Sequence, residues 1–263
     1  MYKKKILFAI SDIHGNLDAM EKAVKQITPY LLNGDSKLLM LGDYIDRGYQ
    51  SYECLQLAYD LQQQFGKDKV IVIKGNHEAW FMDFLKGNGD EWLAEDVEYR
   101  TTRTFLTEKQ MEELHRIYQR EEKLAFMINT IKSNHRDLLT WINQLPLYHE
   151  TDSQIFVHAG VDEDIPEEEL EWCTIGTGEW TFLGKYPPTK GKFYKDIIAG
   201  HVSAKNVAGD KYFEGIYFDG ASHFYIDGSG GDRHSLLCLA YDVEEKTYYD
   251  YKMDGTFKTL KKM

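Results

Sequence analysis

The chain has 263 residues, with 43% hydrophobic and 14% aromatic content, enough to bury a sizeable core and unlike a disordered composition. Its 43 acidic against 31 basic residues give a formal charge of -12, which argues against a general nucleic-acid binder, because phosphate contacts need a basic face. Three cysteines (Cys54, Cys173, Cys238) form no close pair. That disfavours a disulfide framework or zinc knuckle and suits a reducing compartment. The apolar run "ILFAI" stops at Ser11, too short for a signal-peptide core, and no stretch approaches the roughly 20 apolar residues of a membrane span. A cytoplasmic protein without a membrane partner is expected.

Taken in chain order, "KKILFAI" reads as a buried strand. "NLDAMEKAVKQI" follows, with Leu17, Met20, Val24 and Ile27 on one helical face. The strand "KLLML", the helix "SYECLQLAYDLQQQF" and the strand "KVIVIK" continue the alternation, which implies parallel strands joined by right-handed crossovers. Residues 78–150 change character. "TEKQMEELHRIYQREEKLAFMINTIK" and "NHRDLLTWINQL" are charged, amphipathic and helical, and read as a helical cap inserted between two halves of a sheet. The second half is strand-rich: "QIFVHAG", "DIIAGHV", "GIYFDG", "FYIDG", "LLCLAYD" and "TYYDYKM", punctuated by Gly and Asp as hairpin connections would be. No linker divides the chain, so one domain over 1–263 is expected.

Polar clusters stand where the strands end, and in parallel sheets ligands gather at the carboxyl ends of strands. "SDIHGN" puts Asp12 and His14 two apart, so in extended backbone they face one side and could share a cation. The same string also fits a helix cap beside a surface histidine. "GDYIDRG" places Asp43 and Asp46 three apart with Arg47 behind them, whereas most such strings are solvated loops. In "GNHE", Asn76 and His77 are adjacent, so their side chains diverge: one could meet a metal through an amide oxygen while the other faces substrate. "FVHAG" and "IAGHV" end strands with His158 and His201, each of which alone fits a hydrogen-bonded core histidine. Five such clusters offering Asp, His, Asp, Asn, His and His are hard to ascribe to coincidence.

In this order, "SDIHGN", "GDYIDRG", "GNHE", "HAG" and "GH", spanning residues 11–201, resemble the signature of the calcineurin-like metallophosphoesterases. More narrowly they are similar to the phosphoprotein phosphatase branch and its bacterial relatives, which include diadenosine tetraphosphate hydrolases. The resemblance implies an α/β fold, a four-layer sandwich of two mixed β-sheets flanked by helices, with the metal centre at a sheet edge. It implies two divalent ions, with Mn²⁺ favoured and Fe or Zn²⁺ also suited to oxygen and imidazole ligands. Asp12 and His14 would hold the first ion, Asp43 would bridge, and Asn76, His158 and His201 would complete the second. His77 would be the proton donor, Asp46 its orienting partner and Arg47 a phosphate clamp. The implied reaction is hydrolysis of phosphate monoesters by direct attack of a metal-bridging hydroxide. A serine/threonine (phosphoprotein) phosphatase is the first expectation, a diadenosine polyphosphate or nucleotide hydrolase the second, and a catalytically silent metal-binding homologue the third. The substrate is accordingly a phosphorylated protein or a small phosphate ester.

One departure from the family pattern concerns the second phosphate-binding arginine, since no arginine occurs from Val161 to Gly200. Lys185, Lys190, Arg100 or Arg103 could substitute, and Arg103 is preferred. Trp80, Trp92, Tyr99 and Phe105 could stack a base but read better as core. His115, His135, His149 and His234 lie outside the motifs, and His223 falls near the expected cleft.

Overall fold

The computed structural model describes residues 4–229 and 236–262; His234 lies outside them. The chain opens with β1 (Ile6–Ile10), α1 (Leu17–Asn33), β2 (Lys37–Met40), α2 (Ser51–Phe65) and β3 (Val70–Val72). Strands β1, β2 and β3 are parallel neighbours, as the alternation implies. The Asn16 side chain caps α1 by accepting the Ala19 N–H at 3.1 Å. α3 (Asn76–Lys86) follows at once after "KG", so Asn76 and His77 fall in its first turn. It stops at Gly87, whose φ of 82° is the left-handed cap conformation.

After three short 3-10 turns (Glu91–Ala94, Val97–Tyr99 and Thr102–Phe105) come α4 (Glu108–Arg116), α5 (Arg120–Asn134) and α6 (Arg136–Asn143). The long amphipathic run is thus broken into two helices between Arg116 and Arg120. The expected 78–150 insertion also contains a strand, because β4 (Tyr148–Glu150) pairs antiparallel with β5 (Gln154–Val157). Its half-buried Tyr-His-Glu sequence carries no apolar signal.

The remainder comprises a fourth 3-10 turn (Glu167–Trp172), α7 (Cys173–Gly176), α8 (Glu179–Gly184), β6 (Asp196–Ser203), α9 (Ala204–Ala208), β7 (Tyr217–Phe218), β8 (His223–Asp227), β9 (Leu239–Asp242), β10 (Thr247–Tyr251) and β11 (Phe257–Lys262). One mixed sheet has the order β11-β10-β9-β1-β2-β3, the other β4-β5-β6-β8-β7. Not all glycine-punctuated strands form hairpins: β5, β6 and β8 run parallel, and among the described residues hairpin pairing joins β4–β5, β7–β8, β9–β10 and β10–β11.

Period-two alternation sets the layers. Leu7 and Ala9 of β1 face the second sheet, where Phe156, Ile198, Phe224 and Ile226 meet them. Ile6, Phe8 and Ile10 face the other way, onto α1, α2 and the insertion. The outer face of the second sheet (Ile155, Val157, Ile197) is covered by Cys173 and Phe182 of α7 and α8. Helices, sheet, sheet and helices therefore form the four layers. The insertion shares the first helical layer: Phe81, Trp92, Phe105, Leu114, Ile131 and Trp141 join the core that also contains Phe8 and Met40. Burying each such side chain contributes roughly 1.5–3 kcal/mol. Among the described residues no helix is long and apolar enough to cross a membrane. Cys54, Cys173 and Cys238 are free and buried.

Candidate active site

Backbone geometry marks the site first. Asp12, His14, Asp43, Asp46, Arg47 and His201 all have φ between 48° and 70°. Left-handed conformations in non-glycine residues are uncommon, cost roughly 1–3 kcal/mol each and collect at functional sites. The loops are held in these shapes by cross-loop bonds. His14 N–H donates to Asp43 O at 2.9 Å, Gly15 N–H to Tyr44 O at 2.8 Å, and His201 N–H to Asp12 Oδ2 at 3.0 Å. Glu78, reaching back from the first turn of α3, accepts the N–H groups of Gly75, Asp43 and Tyr44 at 2.8–3.0 Å.

The strand-end side chains converge. His14 donates Nδ1–H to Ile45 O at 2.9 Å, leaving Nε2 buried, without a hydrogen-bond partner, 3.9 Å from Asp12 Oδ1 and 3.7 Å from Asp43 Oδ2. His158 donates Nδ1–H to Leu41 O at 2.7 Å, which turns its Nε2 toward Asn76 Oδ1 at 2.8 Å and Asp43 Oδ1 at 3.4 Å. His201 Nδ1 lies 3.0 Å from the same Asn76 oxygen. Among the described residues two groups of potential ligand atoms result, His14/Asp43/His77 and Asp43/His158/His201, and Asp43 belongs to both.

These residues fit divalent cations on three counts. The His14 Nε2 lone pair is buried and unanswered. Burial and the nearby Asp227 push the Asp12 carboxyl well above the usual carboxylate range, so a cation beside it would relieve crowded buried negative charge. The space is also kept open by glycine: a Cβ on Gly200 would fall 2.1 Å from Ser11 Oγ and 2.2 Å from Asp12 Oδ2, and one on Gly75 would fall 2.2 Å from Asp43 Oδ1. Burial lowers His14 to about 3 and His201 to about 4, so both imidazoles are neutral, the form that binds metal. His158 behaves oppositely: burial opposes its charge, but Asp43, Asp12 and the Leu41 carbonyl together outweigh burial and lift it to about 10.

Beside this cluster stands a pair. His77 Nδ1–H donates to Asp46 Oδ2 at 2.7 Å, and its Nε2 lies 3.8 Å from Asp43 Oδ2 and 3.5 Å from Arg47 Nη2. Burial would lower His77, but Asp43 and then Asp46 raise it to about 9. Asn76 and His77 do diverge, one toward His158 and His201, the other toward Asp46. Arg47 is exposed at the rim. Arg103 is exposed on the Thr102–Phe105 turn, whereas Arg100 donates to Arg47 O at 2.6 Å and lies 4.6 Å over the Tyr49 ring. Lys185 is committed to Val161 O and Glu163, and Lys190 to Val207 O. His223 bonds Glu163 and Asp219 rather than any motif residue.

A family model described as calcineurin-like phosphoesterase matches residues 6–223. The chain belongs to this family. A symmetrical bis(5'-nucleosyl)-tetraphosphatase of Chromobacterium violaceum is 24% identical over 204 residues, covering 74% of this chain and 60% of that protein. An uncharacterised protein of Caenorhabditis elegans is 31% identical over 86 residues, 30% of this chain and 34% of that one. The match therefore spans less than two thirds of either curated relative. Among solved structures, a cold-active protein-tyrosine phosphatase of a psychrophilic Shewanella species superposes with a TM-score of 0.56 at 18% identity, covering 98% of this chain and 81% of that one. A serine/threonine phosphatase of Saccharomyces cerevisiae gives 0.52 at 12% identity, with 99% and 81% covered. These structures share the two-sheet fold of this family member.

Sequence reasoning missed several contributors. Glu78 was visible only as the last letter of "GNHE". Asp227, buried at the end of β8 in register with Ser203, closes the strand run "FYIDG", where its Asp-Gly reads as the start of a connection. Trp92 and Thr101, which both bond Asp46, lie far from it in sequence.

Proposed function

We propose that the chain is a metal-dependent phosphoesterase of one domain acting on phosphate monoesters, most closely a serine/threonine phosphoprotein phosphatase. The observation that carries this reading is the convergence of Asp12, His14, Asn76, His158 and His201 on Asp43, next to a His77–Asp46 pair and an exposed arginine. Asp12, His14, Asp43, Asn76, His158 and His201 would hold two divalent cations, Mn²⁺ first among the candidates. Bound there, the cations would supply Lewis-acid activation of a water, whose pKa such ions can lower to about 7, and would neutralise phosphoryl charge.

The chain's own residues do the rest. Arg47 offers a planar fork for two phosphoryl oxygens. Arg103 is the proposed second cation, since Arg100 is tied to the Arg47 carbonyl and Tyr49. His77 holds its proton on Nε2 for the leaving oxygen, while Asp46 accepts Nδ1–H and fixes the ring. Free, buried cysteines agree with a cytoplasmic location.

The tetraphosphatase relative motivates a second reading, a dinucleoside polyphosphate hydrolase. A cleft of about 380 Å³ bears on the choice. It is lined by Trp80, Trp180, Asp83, Glu91 and Glu95, and the Trp80 ring lies 5.1 Å from that of His77. Its acidic rim would repel a polyphosphate chain and tolerate a peptide, which supports the phosphoprotein reading. The test is a panel of phosphoserine, phosphothreonine and phosphotyrosine peptides, nucleotides and diadenosine tetraphosphate, assayed with Mn²⁺ and with chelator. Chelator-sensitive peptide hydrolysis is expected. Preferential cleavage of the dinucleotide would favour the second reading, and no hydrolysis of any substrate would leave a silent metal-binding homologue.

A further inference from the structure

We propose that Trp92 and Thr101 of the helical insertion are positioning residues for Asp46, so that the insertion holds the proton-donating pair in its working geometry. The inference rests on the reading of His77 as general acid. Asp46 is fully buried, and both of its carboxylate oxygens are occupied. Oδ2 accepts His77 Nδ1–H at 2.7 Å and Trp92 Nε1–H at 3.0 Å, while Oδ1 accepts the Thr101 hydroxyl at 2.6 Å. With a donor on each oxygen outside the imidazole, the carboxylate plane cannot turn about its terminal torsion without breaking a buried hydrogen bond. Oδ2 is thereby kept facing Nδ1. Without these donors the buried carboxylate oxygens would be left unanswered, and the group would be free to rotate away from the imidazole.

Each donor is itself located. The Asp46 N–H donates to Ser51 Oγ at 3.0 Å, Ser51 lies 3.3 Å from Thr101 Oγ1, and Thr101 donates back to Asp46, closing a ring of three hydrogen bonds. Buried Asp96 accepts the Thr101 N–H at 2.6 Å and the Thr102 N–H at 3.2 Å, anchoring the turn. The Trp92 ring packs 4.9 Å from Phe81 and 5.1 Å from Phe84. Both belong to α3, whose first turn carries His77, so one helix places the imidazole and the indole that share Asp46 Oδ2. Positioning partners of this kind typically change activity by about 10–100-fold.

The test uses Thr101→Val, which removes only the donor, and Trp92→Phe, which retains an aromatic ring against Phe81 and Phe84. Thr101→Ser serves as the restoring variant and Asp46→Asn as the reference. kcat and KM are measured for phenyl phosphate, a poor leaving group, and p-nitrophenyl phosphate, a good one, after thermal melts confirm folding. The expected result is a kcat loss of about 10–100-fold on phenyl phosphate with KM little changed, a much smaller loss on p-nitrophenyl phosphate, and recovery in Thr101→Ser. Equal slowing of both substrates, or no slowing, in Thr101→Val and Trp92→Phe while Asp46→Asn retains the leaving-group split would overturn the positioning role alone. Absence of the split in Asp46→Asn itself would overturn the general-acid reading and this inference together.

Discussion

Glu78 Oε2 accepts the backbone N–H of Asp43 at 2.9 Å, and Asp43 Oδ1 accepts the backbone N–H of His77 at 3.1 Å. Two carboxylates thus staple the loop after β2 to the first turn of α3 in opposite directions. The left-handed backbone of Asp43 is fixed by this reciprocal pair, and the orientation of the bridging candidate follows from it.

Glu78→Gln disturbs the staple without changing its size. Glutamine offers one acceptor oxygen, and its NH₂ would face a backbone donor, leaving at least one buried N–H unanswered. A loss of about 1.5–3 kcal/mol is expected, together with weaker cation binding. Denaturant unfolding and Mn²⁺ titration of the variant check both; unchanged stability would show that the loop does not depend on Glu78.

His77→Asn is expected to bind cations nearly as the native chain does. It should slow hydrolysis of alkyl and phenyl phosphates by about 10²–10⁴-fold, and of p-nitrophenyl phosphate far less. His77 Nε2 also lies within the His14/Asp43 group of potential ligands. Loss of a cation from this variant would therefore assign it as a ligand instead of an acid, and isothermal titration separates the two outcomes.

How much of this was legible in the sequence depends on distance along the chain. The apolar runs of β1, β2, β3, β5 and β6 and the polar clusters at their ends are local signals, so Asp12, Asp43, His77, His158 and His201 could be picked out before their convergence was seen. Trp92 and Thr101 donate to Asp46 across 46 and 55 residues, from a segment whose composition reads only as core or surface. Asp227 looked like turn chemistry because Asp-Gly is the commonest hairpin signal. β4 was illegible because a short edge strand need not alternate. The insertion reads as a helical cap within the one domain because its helices are charged and amphipathic, and their apolar faces complete the core over β1 and β2.

His223 lies away from the candidate metal centre and has a pH-dependent ion pair of its own. Burial would lower His223, but Glu163 and then Asp219 outweigh it and hold the imidazole above its usual 6.5. Burial would raise Glu163, but His223 and Lys185 hold it below the usual carboxylate range. The stability due to His223 is fully present below pH 6.5 and is lost as pH rises through its raised folded value. The part due to Glu163 is lost as pH falls through its depressed value. His223→Gln should cost about 1.5–3 kcal/mol near pH 6 and progressively less at alkaline pH. Thermal melts in chelator across this range check it, and a pH-independent difference would contradict it.

A shared metal centre fixes how many cations the chain binds. Equilibrium dialysis against Mn²⁺ followed by elemental analysis should find two ions per chain in the native protein. In Asp43→Asn, whose carboxylate belongs to both candidate groups, binding and hydrolysis should be lost together. An Asp43→Asn chain that keeps both ions and its turnover, or a native chain that binds none, would contradict the shared metal centre.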